Sequence, residues 1–258
     1  MPVSVRVTKR ILVIGDSCLD RFVYCHADRL APDLPVPVLR ISSEVENPGM
    51  AKNVERNVRA IYKHCSLMTN ARWKSLVKTR YVHEGSNHTF LRVDTDPPVT
   101  RINVRKVPLK KYDIIAISDY NKGFLTEDDI EYICEHHDTV FLDTKKVLGP
   151  WFKRAKFIKI NNKEYEASKH TVTPMLAKKI ICTKGSLGAE YQGTHYPAKQ
   201  VEVRDLTGAG DSFFAALLVR YAEMGDIHGA IRFANECASE VVRHRGVSLI
   251  RWPKTAHG

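Results

Sequence analysis

From Tyr112 onward the chain alternates short apolar segments with stretches long enough to form helices, and this alternation limits the possible folds more than any other feature. The apolar segments are Ile114–Ile117, Val140–Leu142, Phe157–Ile160 and Ile180–Cys182. Such an order predicts βαβ units, which build a mainly parallel sheet with helices on both faces. Two helices, over about 209–224 and about 227–243, are predicted to close the chain.

The first part of the chain adds a strand and a helix, and then interrupts the pattern. Ile11–Ile14 predicts a buried strand, and apolar residues recur at helical spacing over Ala51–Ile61. Prolines alternate with apolar residues over Ala31–Val38, which favours an extended segment outside the main sheet because proline cannot donate to a central ladder. Lys78–His83 and Thr89–Val93 predict two further strands. We expect one α/β domain over residues 1–258 with a small additional β layer.

Composition is that of a globular chain, with 43% hydrophobic and 27% charged residues. The longest apolar runs, Ile11–Ile14 and Phe213–Val219, fall short of the ~18 residues that a membrane span needs. Only four apolar residues follow the basic stretch Arg6–Arg10, too few for a secretory signal. The six cysteines contain no C-x-x-C pair, so reduced, buried thiols are expected. We predict a cytoplasmic protein with no membrane contact.

The net charge of +11 lies almost entirely in the first part of the chain. Residues 1–111 carry 20 Lys and Arg against 10 Asp and Glu, whereas residues 112–258 carry 20 against 19. Such a field concentrates anions, whether nucleic acid, a nucleotide or a phosphorylated metabolite. The alternative is a set of solvated lysines that serve solubility.

Ligands of open parallel sheets bind beyond the carboxyl ends of the strands. The most informative of these positions is Thr207–Asp211, which follows a strand-like Val201–Val203 and opens an apolar helix. Two glycines at a helix start expose backbone N–H groups that can hold an anion, and Asp211 could accept a proton from an attacking hydroxyl. The alternative is that Asp211 only caps the helix.

Other polar groups follow the predicted strands, and each has two interpretations. Asp16 and Asp20 could bind sugar hydroxyls or only shape a turn. Asn47–Asn53 is a tight loop leading into a helix, where Asn53 or Lys52 could face a ligand. Asn161 and Glu164 could organise hydrated Mg²⁺ and nucleotide phosphate, or only begin a helix.

Taken in order, these motifs resemble the ribokinase-like (PfkB-type) carbohydrate kinases over nearly the whole chain, and most of all their heptose 7-phosphate kinase branch. The DxTGAGD sequence is highly specific for the family, and the proline-rich segment and the SDYxKG motif point to the heptose branch. The motifs that carry the resemblance are Gly15–Arg21 (GDSCLDR), Arg29–Val38 (RLAPDLPVPV), Pro48–Asn53 (PGMAKN), Val77–Val82 (VKTRYV), Leu91–Asp94 (LRVD), Ser118–Gly123 (SDYNKG), Asp143–Lys146 (DTKK), Asn161–Glu164 (NNKE), Thr183–Gly185 (TKG), Asp205–Asp211 (DLTGAGD) and Phe233–Asn235 (FAN).

The resemblance implies a three-layer α/β sandwich with a small β lid formed by about 21–45 and 77–94, homodimerisation through that lid, and use of ATP and Mg²⁺. It implies that Asp211 is the base that activates the sugar hydroxyl, C1 of a heptose 7-phosphate being the preferred acceptor. The implied binding residues are Gly208, Ala209 and Gly210 for the anion hole, Asp16, Gly49 and Asn53 for the sugar, Lys78, Arg80, Arg92 and Lys122 for the substrate phosphate, Asn161, Glu164, Thr183, Gly185 and Asn235 for the nucleotide, and Glu164, through water, for Mg²⁺.

The chain departs from the family pattern at two places. Met50 stands where the family usually has a second glycine, and a positive φ there would cost roughly 1–2 kcal/mol. Only twelve residues, His64–Ser75, connect the predicted first helix to the next strand. We expect little beyond a shortened link there, so that part of one sheet edge is absent or supplied by a partner chain.

These departures leave a second hypothesis open, a kinase-fold protein of weakened activity that acts as a binding or regulatory partner. Nucleic-acid binding is disfavoured, because aromatic residues are not interleaved with the basic ones. A P-loop kinase is excluded by the lack of GxxxxGK[ST], and a dinucleotide fold by Phe213 in place of a third glycine.

Overall fold

Apolar side chains on the central strands point alternately to the two faces of the sheet, which is why helices cover both. In the first strand, Ile11 and Val13 belong to one buried cluster, and Leu12 and Ile14 to another. The computed structural model describes residues 8–252, so Arg6 of the basic start lies outside the described residues. The two clusters make an α/β/α sandwich, which confirms the predicted fold class.

The main sheet has eight strands in the order β12-β11-β10-β9-β8-β7-β1-β4. Strands β4, β1, β7, β8, β9 and β10 are parallel, and β11 and β12 are antiparallel additions at one edge. Their bounds are β1 Ile11–Gly15, β4 Cys65–Met68, β7 Ile114–Asp119, β8 Val140–Thr144, β9 Phe157–Asn161, β10 Ile180–Thr183, β11 Ala189–Tyr191 and β12 Thr194–Tyr196.

Six α-helices flank this sheet within residues 8–252, and the longest two are those predicted to close the chain. The cluster containing Ile11 is covered by α1, α5 and α6. The bounds are α1 Ala51–Ile61, α2 Glu127–His136, α3 Asn162–Ser168, α4 Pro174–Ala177, α5 Ala209–Met224 and α6 Ile227–Val241. In this part of the chain no helix is both long and apolar enough to span a bilayer.

A second sheet of four strands lies apart from the first, in the order β3-β2-β5-β6. Strand β2 pairs antiparallel with β3 and parallel with β5, and β5 pairs antiparallel with β6. The bounds are β2 Ser17–His26, β3 Arg40–Met50, β5 Val77–His83 and β6 Thr89–Thr95. We call this the small sheet.

Three predictions of local structure need correction. Val201–Val203 forms no strand, because Val203 is 49% exposed and no neighbouring strand pairs with this segment. The His64–Ser75 link is more than a connection: it contains β4, which pairs with β1 and forms one edge of the main sheet. The last helix ends at Val241 rather than 243.

The proline-rich segment leaves the main sheet, as predicted, but it is not an extended strand. It folds into a loop between β2 and β3 that is closed by one bridge between Leu30 and Pro37. All six cysteines are buried and unpaired, as expected.

Candidate active site

The carboxyl edge of the parallel sheet faces the start of α5, and the two surround a group of buried polar side chains. Asp16 follows β1, Asp119 and Asp143 lie in the last residues of β7 and β8, and Asp211 lies in the first turn of α5. All four are at least nine-tenths buried. Buried carboxylates are costly unless they are hydrogen-bonded or paired with cations, so their partners define the site.

Both oxygens of Asp211 accept hydrogen bonds. The Tyr120 hydroxyl donates to Oδ1 at 2.6 Å, and Asn53 Nδ2 donates to Oδ2 at 2.9 Å. Burial raises the pKa of the Asp211 carboxyl above its ordinary value, although both of these hydrogen bonds oppose the shift. A carboxylate with a raised pKa is a stronger proton acceptor, which suits a general base.

The backbone before Asp211 matches an anion hole in part. Gly208 caps α5 with φ of 80°, and a Cβ there would lie 3.0 Å from Asn53 Nδ2, so both conformation and space require glycine. Among the described residues, the N–H groups of Gly208 and Gly210 have no hydrogen-bond partner, whereas Ala209 N–H donates to Leu206. Two of the three predicted donors are therefore available to an anion.

Asp16 is fully buried, and backbone donors occupy its carboxylate. Oδ2 accepts from the N–H groups of Tyr120 at 2.8 Å and Lys122 at 3.2 Å, and Oδ1 accepts from Phe124 at 3.2 Å. Burial, and then the neighbouring Asp119, raise the pKa of Asp16. Asp16 thus holds the loop after β7 in place, with about one of its four acceptor positions left for a ligand.

Gly49 is required by its neighbours within the chain. A Cβ at this position would lie 2.2 Å from Asp20 Oδ2 and 2.7 Å from Cys18 Sγ. Close approach of a sugar, the predicted reason for this glycine, is therefore not needed to explain it.

Three of the four residues predicted to bind a substrate phosphate already contact carboxylates. Arg80 pairs with Asp20 at 2.7 Å, and Arg92 makes two hydrogen bonds of 2.7 Å to Asp94. Lys122 pairs with Asp96 at 2.5 Å, whereas Lys78 is 9% exposed and its Nζ lies 5.0 Å from the centroid of the Tyr120 ring. Lys78, Arg80 and Arg92 lie on one face of the small sheet, because Arg80 and Arg92 are direct cross-strand partners and Lys78 is two residues from Arg80 in β5.

A cavity adjoins the N–H groups at the start of α5. Ala209 and Gly210 form part of its wall, and three of the predicted nucleotide residues, Thr183, Gly185 and Asn235, line it. Asn235 Nδ2 also donates to the Tyr196 carbonyl at 2.8 Å, so this side chain fixes the wall as well.

Asn161 and Glu164 lie outside this cavity and form a capping box at the start of α3. Glu164 Oε2 accepts from the Asn161 N–H at 2.8 Å, and Oε1 accepts from Lys145 Nζ at 2.5 Å. The alternative that Asn161 and Glu164 only begin a helix therefore accounts for the contacts of both residues. Asn161 is nevertheless the register partner of Thr183, which lines the cavity.

The surroundings of Glu164 fit a hydrated Mg²⁺ held mainly by phosphate. Asp143 Oδ1 is buried and has no hydrogen-bond partner within residues 8–252, and the Lys145 ammonium lies 3.8 Å from it and also contacts Glu164. Two carboxylates that lie on either side of one cation, here the Lys145 ammonium, can hold a different cation in its place. Mg²⁺ usually keeps several waters. Between residues 8 and 252 no three Asp, Glu, His or Cys side chains are grouped as metal ligands, so the protein alone offers no complete coordination shell.

Three residues of the site were not predicted: Tyr120, Lys145 and Lys159. Lys159 is 4% exposed, pairs with Asp143 at 2.9 Å, and its Nζ lies 3.3 Å from where a Cβ on Gly210 would stand. A lysine within the apolar strand Phe157–Asn161 was a usable signal, because lysine is almost never fully buried unless it is paired. Tyr120 and Lys145 lie in motifs noted for the resemblance, but nothing local indicates their contacts.

Fold and site together define a ribokinase-like α/β protein in which N–H groups at a helix start, unbonded among the described residues, lie beside a buried carboxylate. A family model described as "pfkB family carbohydrate kinase" matches residues 117–255. The chain belongs to this family of ATP-dependent sugar kinases.

Comparisons with individual proteins agree with this assignment. The "Bifunctional protein HldE" of Bradyrhizobium diazoefficiens is 27% identical over 94% of this chain, and that of a Caulobacter species is 28% identical over 93%. The chain spans 61% and 60% of the length of these relatives.

Solved structures share the fold at low sequence identity. Ribokinase from Thermotoga maritima has a TM-score of 0.73 at 17% identity, covering 93% of this chain and 94% of that one. Phosphofructokinase-2 from Escherichia coli has a TM-score of 0.69 at 16% identity, covering 94% and 95%.

Proposed function

We propose that this kinase transfers the terminal phosphoryl group of ATP to a hydroxyl of a sugar that already carries a phosphate, with C1 of a heptose 7-phosphate as the preferred acceptor. The observation that carries the proposal is the position of Asp211. Asp211 directly follows Gly210 in the chain, and Gly210 both belongs to the proposed anion hole and lines the cavity. A nucleotide in that cavity would direct its terminal phosphate toward the base.

Asp211 would take the proton of the acceptor hydroxyl as its oxygen bonds to the phosphorus and the bond to ADP breaks. Phosphoryl transfer passes through a loose transition state, so positioning and charge neutralisation supply most of the rate enhancement. The N–H groups of Gly208 and Gly210, and the Lys159 ammonium beside them, are suited to stabilise the transferring group. Mg²⁺, when bound near Glu164, would neutralise charge on the nucleotide phosphates.

The basic residues of the small sheet support an acceptor that carries its own phosphate. Arg80 and Arg92 stand directly opposite each other, an arrangement that repels unless an anion lies between or beside them. Asp20 and Asp94 now supply that negative charge. A phosphate can replace a carboxylate on arginine with the same two-pronged hydrogen bonding. The resemblance of the motif at Ser118–Gly123 to the heptose branch supports heptose 7-phosphate in particular.

We also propose that the chain is a single domain whose small sheet acts as a lid over the acceptor, and that it works in the cytoplasm as a homodimer through that sheet. By strand alternation, Leu91 and Val93 lie on the face opposite Arg92, and they are 52% and 44% exposed. Exposed apolar side chains on one face of a sheet are suited to a protein interface.

The alternative is a kinase-fold protein of weakened activity that acts as a binding or regulatory partner, and one assay distinguishes it from an active kinase. ADP release is followed for the purified chain with ATP, Mg²⁺ and a panel of heptose, hexose and pentose phosphates alongside the free sugars. We expect turnover above the rate without acceptor, with phosphorylated acceptors preferred. The Asp211→Asn variant, checked for folding by thermal unfolding, is the matched control. Equal, background rates for both proteins across the panel would refute catalysis, and a preference for free sugars would refute the phosphate contact.

A further inference from the structure

Tyr120 connects the carboxylates of Asp16 and Asp211. Its backbone N–H donates to Asp16 at 2.8 Å, and its hydroxyl donates to Asp211 Oδ1 at 2.6 Å. One residue in the loop after β7 thereby links the end of β1 to the start of α5. A bond this short to a carboxylate has the length of a charge-assisted hydrogen bond.

The ring of Tyr120 is held from several sides. Lys78 Nζ and Lys145 Nζ lie 5.0 Å and 5.2 Å from its centroid, within cation–π distance. The ring also packs against the buried cluster of Cys18, Met50 and Leu76. Burial, and then the charge of Asp211, raise the pKa of the Tyr120 hydroxyl well above its ordinary value. The hydroxyl therefore stays protonated and can only donate to the carboxylate.

A tyrosine that only filled space in the core would not need this hydroxyl. The packing contacts would survive in phenylalanine, but Asp211 Oδ1 would lose its only protein donor among the described residues. The other oxygen would keep Asn53. A carboxylate fixed at only one oxygen can rotate about its bond to Cβ, whereas two donors hold its plane.

We propose that Tyr120 is the positioning residue for the catalytic base: its hydroxyl, together with Asn53, holds the Asp211 carboxylate in one plane, so that an unused lone pair of Oδ1 is presented to the acceptor hydroxyl. This inference rests on the proposed function and deepens it. Misplacing a base by a fraction of an ångström lowers the rate without affecting nucleotide binding.

The polar, charged and titratable groups around Asp211 decide what loss of the Tyr120 hydroxyl does to the pKa of its carboxyl. They come from one helix, three strands and two loops, and only Tyr120 changes in a Tyr120→Phe variant. Donation to a carboxylate favours its charged form, so removing the donor raises the pKa of Asp211 further. The groups are Asn53 of α1, Tyr120 after β7, Asp143 of β8, Lys145 after β8, Lys159 of β9 and Cys18 of β2.

The test compares Tyr120→Phe with the wild type and with Tyr132→Phe. Tyr132 lies in α2 and packs against the core cluster that contains Leu12 and Ile14. For Tyr120→Phe we expect kcat to fall about 10- to 100-fold, KM for ATP to stay unchanged, and the acid limb of the kcat/KM profile to move to higher pH. Tyr132→Phe should match the wild type in all three. A fall in kcat with an unmoved acid limb, or no fall in kcat, would overturn the proposal.

A second measurement does not depend on turnover. The Asp211 carboxyl carbon is followed by NMR in protein labelled with ¹³C-aspartate, its signal being assigned by its loss in Asp211→Asn. We expect its titration midpoint to lie at higher pH in Tyr120→Phe than in the wild type, and equal midpoints would refute the inference. Failure of the wild type to phosphorylate any acceptor would refute the proposed function instead, and the titration would still decide the role of Tyr120.

Discussion

Asn53 in α1 donates a 2.9 Å hydrogen bond to Asp211 in α5, between residues 158 positions apart in the chain. Asn53 Oδ1 in turn accepts from Asn57 at 3.0 Å, and Asn57 accepts from the Ile250 N–H at 2.9 Å. The Asp211 carboxylate is thus held by a buried polar network that joins the first helix to the end of the described chain. Such networks fix one arrangement because each unpaired member would be costly.

Replacing the base should separate binding from chemistry. For Asp211→Asn we expect turnover to fall by about 10²–10⁴, the usual cost of losing a general base, while ATP affinity stays nearly unchanged because the cavity wall is intact. Steady-state kinetics and isothermal titration with ATP check the two parts. An unchanged turnover number would remove Asp211 from the mechanism.

The same substitution should stabilise the fold at neutral pH. Burial raises the pKa of Asp211 in the folded chain above its unfolded value, which is near 4. The folded state therefore binds this proton more tightly, a contribution that is present below the unfolded pKa and lost as pH rises through the folded pKa. Asparagine does not titrate, and its amide and carbonyl can still bond to Tyr120 and Asn53.

Thermal unfolding of the wild type and Asp211→Asn over a pH series checks this expectation. The variant should have the higher Tm at pH 7, by about 2–4 °C for each kcal/mol gained, and the difference should shrink toward pH 4. A variant that is less stable at pH 7 and unchanged at pH 4 would contradict the direction of the pKa shift.

The sequence predicted the fold well because the signals for it are local. The helix Ala209–Met224 was predicted with the bounds that the structure shows, because a glycine cap and an unbroken apolar run mark it. The strand predicted over Val201–Val203 was wrong, because three β-branched or acidic residues cannot form a strand without a neighbouring strand to pair with. The Tyr120–Asp211 contact joins residues 91 positions apart and carries no local signal. Gly49 was predicted to allow close approach of a sugar, whereas the packing shows the Asp20 carboxylate where its side chain would be.

The proposed lid dimer can be tested on its exposed apolar face. Leu91→Glu places a charge on that face, where burial against a second copy would be costly. We expect the wild type to have twice the chain mass of 29.3 kDa in light scattering, and the variant to have the mass of a single chain. Met175→Glu, at a 76% exposed position in α4, is the matched control and should remain dimeric. A wild type with the mass of one chain would refute the dimer.

Met50, which departs from the family pattern, has φ of 58° and ψ of −135°, a region that side chains other than glycine rarely occupy. Its side chain packs with Cys18 and Leu76 and is 2% exposed. Two variants separate these effects. Met50→Ala loses the buried side chain, at about 2–5 kcal/mol, and keeps the strained backbone. Met50→Gly loses the same contacts but releases strain of about 1–3 kcal/mol, against roughly 0.5–1 kcal/mol of extra chain entropy.

We therefore expect both variants to be less stable than the wild type, and Met50→Gly to be more stable than Met50→Ala by about 1 kcal/mol. Denaturant unfolding of the three proteins measures the difference. An alanine variant as stable as the glycine variant would mean that the backbone at this position is not strained. In that case the methionine would be an ordinary core residue, and the departure from the family pattern would carry no cost in stability.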